Sequence, residues 1–495
     1  MRALVAFLLL LGSTRDARAY DFELNAETIG QGYQLRAGDD TLVNRRRLTQ
    51  YLGLHLYNLG PKDLYGRPLE RNQFYLSISM RFEAELGDFT QLRELTGRTP
   101  QRELYDDRLE LLYAYIGGRA VAGVLDFKLG RQLMVDLFDF QSFDGLSLEV
   151  HTPFNVAIEA WGGLNVTGAA PFDSPVYRTD GVALGGNERD SLAARQEDAL
   201  QPTFGVAAKT FGLPYITARV SYLRTMSYTA APQPGEADTG VVDEKIGVTA
   251  RGRLLHGVLV PWFGFRYNLL AGRMDELQAG VRANLPGHHG LQAEYVYAAP
   301  TFDGDSIWNV FGAEAFNDVR LTYDFTQGRW RLLARGFTRL FNDEPLTGSS
   351  ATPPANLGTS MSYGASAGAR VDLGRGFARL DGYYEDGYGG TRAGVDASGS
   401  LRILGDWESG LAVEGRLSYV YFRDDSRVID HAHSLGIQAG ARYSFVKGLT
   451  LHLVIEENVN RFWSSQFRAV ALLDVSFVLG ARGHGFSRPR AWSGQ

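Results

Sequence analysis

The sequence predicts an all-β chain: a single antiparallel transmembrane β-barrel of about 22 strands, with 18 or 20 as the neighbouring solutions. Three patterns lead there. Apolar residues recur at every second position, they do so in runs of about ten residues, and the links between runs alternate between short and long. Residues 73–86 show the first pattern most plainly. Phe74, Leu76, Ile78, Met80, Phe82, Ala84 and Leu86 alternate with Tyr75, Ser77, Ser79, Arg81, Glu83 and Glu85. Successive side chains of a strand point to opposite faces, so this segment has one apolar wall and one polar wall. Its length suits a tilted strand crossing a bilayer.

The chain has 495 residues and a formal net charge of −6. Residues 1–19 read as a cleaved secretory signal: Arg2 supplies the positive start, Ala3–Leu11 the apolar stretch, and Ala17-Arg18-Ala19 the cleavage site before Tyr20. Residues 20–480 are expected to form the barrel and 481–495 a C-terminal tail. Losing 1–19 removes Arg2, Arg15, Arg18 and Asp16, which leaves 47 basic and 55 acidic residues. That balance argues against nucleic acid as a partner. Cysteine is absent, so disulfides, thiolate metal sites and a lipid-anchored start are excluded. No stretch reaches the roughly eighteen consecutive apolar residues of a membrane helix. An export signal, no helical span and many period-two runs together predict the cell outer membrane, with its lipid and lipopolysaccharide as surroundings.

The strands are expected in the following order. Segments 26–36, 48–57 and 73–86 come first, and a long link at 87–107 leads to 108–117, 122–132, 144–152 and 154–165. A second long link, 166–202, precedes 203–212 and 214–224, which join through Gly212-Leu213-Pro214. Segments 244–254, 257–270, 275–285 and 289–299 follow, then 317–327 and 330–341. The series ends with 359–373, 377–388, 391–404, 409–422, 433–446, 449–460 and 466–479. Short links at Pro286–Gly290, Gln327-Gly328-Arg329, Gly374-Arg375-Gly376 and Lys447-Gly448 fall on one end of such a barrel. The long ones, including 227–243, 300–316, 342–358 and 423–432, fall on the other, the parity of tight periplasmic turns and longer external loops. The loops carry turn chemistry, as in QPGEADTG at 233–240. Segment 183–200 has a short helical pattern that a long loop can fold into a lumen; a mobile external loop is the simpler reading.

Polar residues at alternate positions mark the lumenal wall. Lys245, Arg251 and Arg253 share the polar parity of 244–254, Arg282 that of 275–285, and Arg320 that of 317–327. Arg335 and Arg339 do so in 330–341, Arg370 in 359–373, Arg392 and Arg402 in 391–404, and Arg442 in 433–446. A charged side chain facing lipid at mid-depth costs about 2–4 kcal/mol, so these residues are expected to line the substrate path. A mildly cationic wall suits polar or anionic solutes. The same residues can instead form a ladder of ion pairs that stiffens the barrel, and both readings can hold together. Aromatic residues near strand ends, among them Tyr57, Trp161, Tyr222, Trp262, Tyr267, Trp330, Tyr383, Tyr384, Tyr421 and Phe422, read as girdles at the two membrane interfaces.

Other motifs give little. His431 and His433, near Asp424, Asp425 and Asp430, have the ingredients of a metal site, but alternate strand positions point apart, and no metal is expected. The glycine clusters do not open a helix after a buried strand, so no phosphate cradle and no cofactor is implied. Gly364-Ala365-Ser366-Ala367-Gly368 fits the nucleophile pattern G-x-S-x-G in its letters, but it lies inside the alternating segment 359–373 and not at a strand-to-helix turn, and no enzyme activity is expected. Strand candidates begin within about ten residues of Tyr20, which leaves no room for the plug domain of an active transporter.

The segment FKLGRQLMVDLFDFQSFDGLSLEV, 127–150, resembles the alginate-export-like group of outer-membrane barrels. In that group one strand closes on Gly-Arg-Gln, here Gly130-Arg131-Gln132, and the next opens around Asp-Gly, here Asp144-Gly145; residues 45–58 are similar to an early strand. The resemblance implies an 18-stranded export pore for an acidic exopolysaccharide, working with periplasmic secretion components, with Arg131 in the lumen. The expected function is therefore passage of a hydrophilic substrate across the outer membrane, most simply polysaccharide export. A diffusion porin for small polar solutes and a closed-lumen adhesion or scaffold barrel are the alternatives.

Overall fold

The computed structural model describes residues 21–37, 40–60, 72–85, 108–136, 139–166, 201–228, 239–299, 315–342, 361–406, 408–424, 432–461, 463–480 and 483–486. The expected signal at 1–19, the 183–200 segment and most of the 481–495 tail lie outside these residues. The first seven strands are β1 (Asp21–Ala37), β2 (Asp40–Tyr57), β3 (Gln73–Glu85), β4 (Arg108–Val121), β5 (Leu125–Asp136), β6 (Asp139–His151) and β7 (Val156–Asn165). Next come β8 (Pro202–Thr210), β9 (Ile216–Tyr228), β10 (Thr239–Gly252), β11 (Leu259–Asn268), β12 (Arg273–Leu285), β13 (His289–Ala298), β14 (Phe316–Gln327) and β15 (Trp330–Phe341). The chain continues through β16 (Met361–Asp372), β17 (Gly376–Gly387), β18 (Gly390–Gly405), β19 (Gly410–Asp424), β20 (Ala432–Val446), β21 (Leu449–Asn460) and β22 (Ser465–Gly480). A four-residue piece, β23 (Gly483–Phe486), folds back on the end of β22, with Phe486 opposite Phe477.

Each strand pairs antiparallel with the next in sequence, and β1 pairs with β22 from Phe22↔Leu479 to Arg36↔Ser465. The sheet is thus a closed 22-stranded barrel, and closure satisfies the backbone groups that an open edge would expose. The count agrees with the alternation of the sequence and exceeds the 18 strands that the alginate-export resemblance implied. The resemblance also placed a strand end at Gly130-Arg131-Gln132. Instead β5 runs on to Asp136, and Arg131 pairs with Asp144 in the middle of a continuous ladder.

Two turns show how the tight end is made. Gly328 (φ +57°) and Gly448 (φ +84°) take the left-handed conformation in the two-residue connections after β14 and β20. Such short reversals favour a residue without a Cβ. At the turn after β18, Asp406 Oδ1 accepts hydrogen bonds from the backbone N–H of Glu408 (2.8 Å) and Ser409 (2.6 Å). Nine of the ten connections at this end span six residues or fewer, and 58–72 is the exception.

The two faces differ as the alternation requires. On β14, Val319, Leu321 and Tyr323 point outward and are exposed to 58%, 54% and 38%, while Asp318, Arg320, Thr322 and Asp324 share the opposite face. Leu332 and Leu340 on β15, Leu417 on β19, Ile437 on β20 and Ile455 on β21 extend the same apolar exterior. So broad a band of exposed apolar side chains is stable only in contact with hydrocarbon. The molecule is a transmembrane β-barrel, the architecture of outer-membrane proteins.

Candidate functional site: the inner wall

Cross-strand pairing carries the inward charges into a ladder. The Arg282 Nη2 atom lies 2.8 Å from Asp324 Oδ1, joining β12 and β14 across β13. Asp318, fully buried, receives Arg320 Nη2 at 2.9 Å from its own strand and Arg339 Nη2 at 2.8 Å from β15. Asp372 is shared by Arg331 (3.2 Å) and Arg370 (2.9 Å). Further round, Arg416 meets Asp396 at 2.6 Å, His452 meets Glu414 at 2.7 Å, and Arg468 pairs with Glu456. On the opposite arc, Lys209 meets Glu149 at 2.8 Å, Arg219 meets Glu159 at 2.7 Å, and Arg81 pairs with Glu110. Asp318 and Arg81 apart, these pairs are partly exposed and contribute about 0–1 kcal/mol each, so that part of the network acts mainly by holding long side chains against the wall.

Register locates the other predicted residues. Lys245 faces inward and contacts Asp243 at 3.1 Å, and Arg251 faces inward opposite Trp262. Arg253 stands just beyond the end of β10, in the turn end of the barrel. Arg402 lies on the inner face of β18 opposite Ala412, beside a β-bulge. Arg335 lies opposite Ser366, Arg392 opposite Glu385, and Arg442 opposite Ala412 and His452. Among the described residues, Arg251, Arg335, Arg392 and Arg442 have no carboxylate at ion-pair distance; Arg392 sits 6.0 Å over the Tyr383 ring.

Arg131 is a correction. It occupies the parity of Phe127, Leu129 and Leu133, opposite Asp144, which shares a face with Leu146, Leu148 and Val150. Leu129, Leu146, Leu148 and Val150 are all exposed on the apolar exterior, so Arg131 lies on the outer wall and not in the lumen. It is held there by a two-pronged pair: Nε to Asp144 Oδ1 and Nη2 to Asp144 Oδ2, both 2.8 Å, with Nη1 donating to the Leu111 carbonyl at 3.1 Å. Two parallel bonds neutralise both ions in place, which is how the pair tolerates an apolar face.

The aromatic residues also divide. Tyr222, Tyr267, Trp330, Tyr384 and Tyr421 face outward, as girdle residues should. Tyr57, Trp161, Trp262, Tyr383 and Phe422 face inward, contrary to the girdle expectation. One inner patch joins His55, stacked on Tyr57 (5.9 Å between ring centres), with Tyr113, Tyr115 and Tyr75; the last two meet edge to face at 6.1 Å. Lys128 lies over Tyr115 at 5.6 Å and Arg119 over Tyr75 at 5.3 Å. A second inner patch is apolar: Phe143, Trp161, Ala207 and Leu223 are buried against one another, with Met134 beside them. For Tyr57 and Trp161 nearness to a strand end is not a girdle signal: the parity they share across the sheet with Ser77, Ser79 and Glu159 gives the inward face. The His433 Nδ1 lies 2.7 Å from the Tyr419 hydroxyl on the outer face, and His431 is outside the described residues. Among the described residues no three His, Asp or Glu side chains converge as metal ligands.

No family model and no curated protein matches the chain. Solved structures similar to it include OccAB4 of Acinetobacter baumannii, with 11% identity, a TM-score of 0.44, and coverage of 94% of this chain and 100% of that one. OccK1 (OpdK) of Pseudomonas aeruginosa has 11% identity and a TM-score of 0.43 over 93% of this chain and 99% of that one. OccK5 (OpdH) of the same organism has 10% identity and a TM-score of 0.42 over 92% and 98%. The barrel itself is established by the closed ladder described above.

Proposed function

We propose that the chain is a passive outer-membrane channel for small hydrophilic solutes, with a weak preference for anions. The observation that carries this is the inner wall, where charged and hydroxyl side chains recur on alternate positions along the strands while the same strands turn Leu, Val and Ile outward. Such a wall is solvated, and its paired ions leave its net charge small. Arg251, Arg335 and Arg392, which have no carboxylate at ion-pair distance among the described residues, tip the local field toward anions. Export of an acidic polysaccharide rested on the segment around Arg131. With Arg131 on the outer wall, that segment no longer argues for polymer passage or for periplasmic secretion components.

Planar-bilayer recording tests the proposal. The purified protein should give stable single-channel steps and a reversal potential of anionic sign in a KCl gradient. Arg335→Glu should lower the anion-to-cation permeability ratio on the order of twofold, since two unit charges change on a wall screened over about 10 Å. Absence of channels from correctly folded protein would discard the pore and favour a closed scaffold barrel.

A further inference from the structure

Five inward aromatic rings share one arrangement. Tyr75, Trp161, Trp262, Phe337 and Tyr383 each stand directly opposite a glycine on the following strand: Gly117, Gly205, Gly280, Gly364 and Gly394. In every case the ring lies over the glycine Cα. A Cβ built on Gly364 would come within 2.5 Å of Phe337 Cε1, and one on Gly394 within 2.5 Å of Tyr383 Cε1. On Gly117, Gly205 and Gly280 the Cβ would overlap the ring outright. None of these five glycines has a positive φ, so backbone conformation does not require them. What they supply is the absence of a side chain, which lets a ring that would project into the lumen lie flat along the wall.

The seated rings also carry cations. Arg119 lies over Tyr75 at 5.3 Å, Arg392 over Tyr383 at 6.0 Å, and Arg339 over Phe337 at 5.8 Å. A ring raised by a methyl group would move its guanidinium as well.

We propose that these glycines set the lumen width: each folds its cross-strand ring against the wall, and together they fix the size limit for solutes. This rests on the reading of the chain as an open channel. Wild-type protein must therefore conduct before the test applies, and its silence would sink the channel reading alone.

The experiment compares single-channel conductance of Gly280→Ala/Gly364→Ala/Gly394→Ala with wild type, folding being checked by the heat-dependent gel shift of intact barrels. Conductance is expected to fall by about a third, an order-of-magnitude figure for three rings entering the aqueous path. Adding Trp262→Ala, Phe337→Ala and Tyr383→Ala should restore it. The aromatic-to-alanine variants on native glycines provide a second reading that needs no overpacked wall: flat rings take little lumen, so conductance should stay within roughly a tenth of wild type. Unchanged conductance in the folded glycine variant, or a clear rise on removing the rings alone, would overturn the assignment.

Discussion

Asp144→Leu is expected to cost the folded barrel about 2–4 kcal/mol, read as a loss in reversible urea unfolding from lipid vesicles. The substitution leaves Arg131 midway along β5, on a face shared with Leu129 and Leu133, with only the Leu111 carbonyl as partner. Water can reach an unpaired lumenal arginine, but an outer-wall arginine must be drawn toward the membrane surface or remain desolvated. Arg131→Leu should cost less, because an acidic side chain on the lipid face is the milder penalty and can protonate. Arg131→Leu/Asp144→Leu should recover most of the loss, since removing both ions leaves a continuous apolar face. Conductance and ion selectivity should be unaltered in all three. Additive costs in this cycle, or a selectivity change in Arg131→Leu, would show that the pair does not face lipid.

The same pair marks where the sequence was and was not legible. From β10 to β22 most strands read cleanly. In β16, for example, Ser362, Gly364, Ser366, Gly368, Arg370 and Asp372 alternate with apolar partners, and parity alone assigns the wall. In β1, β2, β5 and β6 the pattern blurs for a physical reason: polar groups there bond to each other on the outer face. Thr28 Oγ1 donates to Gln50 Oε1 at 2.5 Å, and Gly30 and Gly32 share that face. The strands also extend past 26–36 and 48–57, to Asp21–Ala37 and Asp40–Tyr57, and the run Arg45-Arg46-Arg47 breaks the alternation ahead of 48. In β5 the family resemblance misplaced Arg131 in the lumen, although Asp126, Lys128 and Gln132 fix the opposite parity. Ring seats were out of reach for a different reason. A glycine 18 or 42 residues from an aromatic has no visible relation to it until register places Trp262 opposite Gly280 or Tyr75 opposite Gly117.

Asp318→Ala should be the most damaging single change on the inner wall. Asp318 is fully buried, and its Oδ2 accepts from Arg320 Nη2 at 2.9 Å, Arg339 Nε at 3.1 Å and Arg339 Nη2 at 2.8 Å. Arg339 is also packed 4.6 Å over the Phe316 ring, so it cannot simply swing away to water. Removing the carboxylate leaves two guanidiniums adjacent, one of them pinned among aromatic rings. The expected loss is about 3 kcal/mol, the scale seen when one partner of a buried pair is deleted. Asp318→Asn keeps an acceptor oxygen and should lose about half as much. Both variants add net positive charge to the lumen, so channels that still form should be more anion-selective than wild type, the reverse of the Arg335→Glu shift. Opposite signs from the two substitutions would place Asp318 and Arg335 in one aqueous field. A stability loss in Asp318→Ala without any selectivity change would instead put Asp318 in a dry clasp of the wall, outside the solute path.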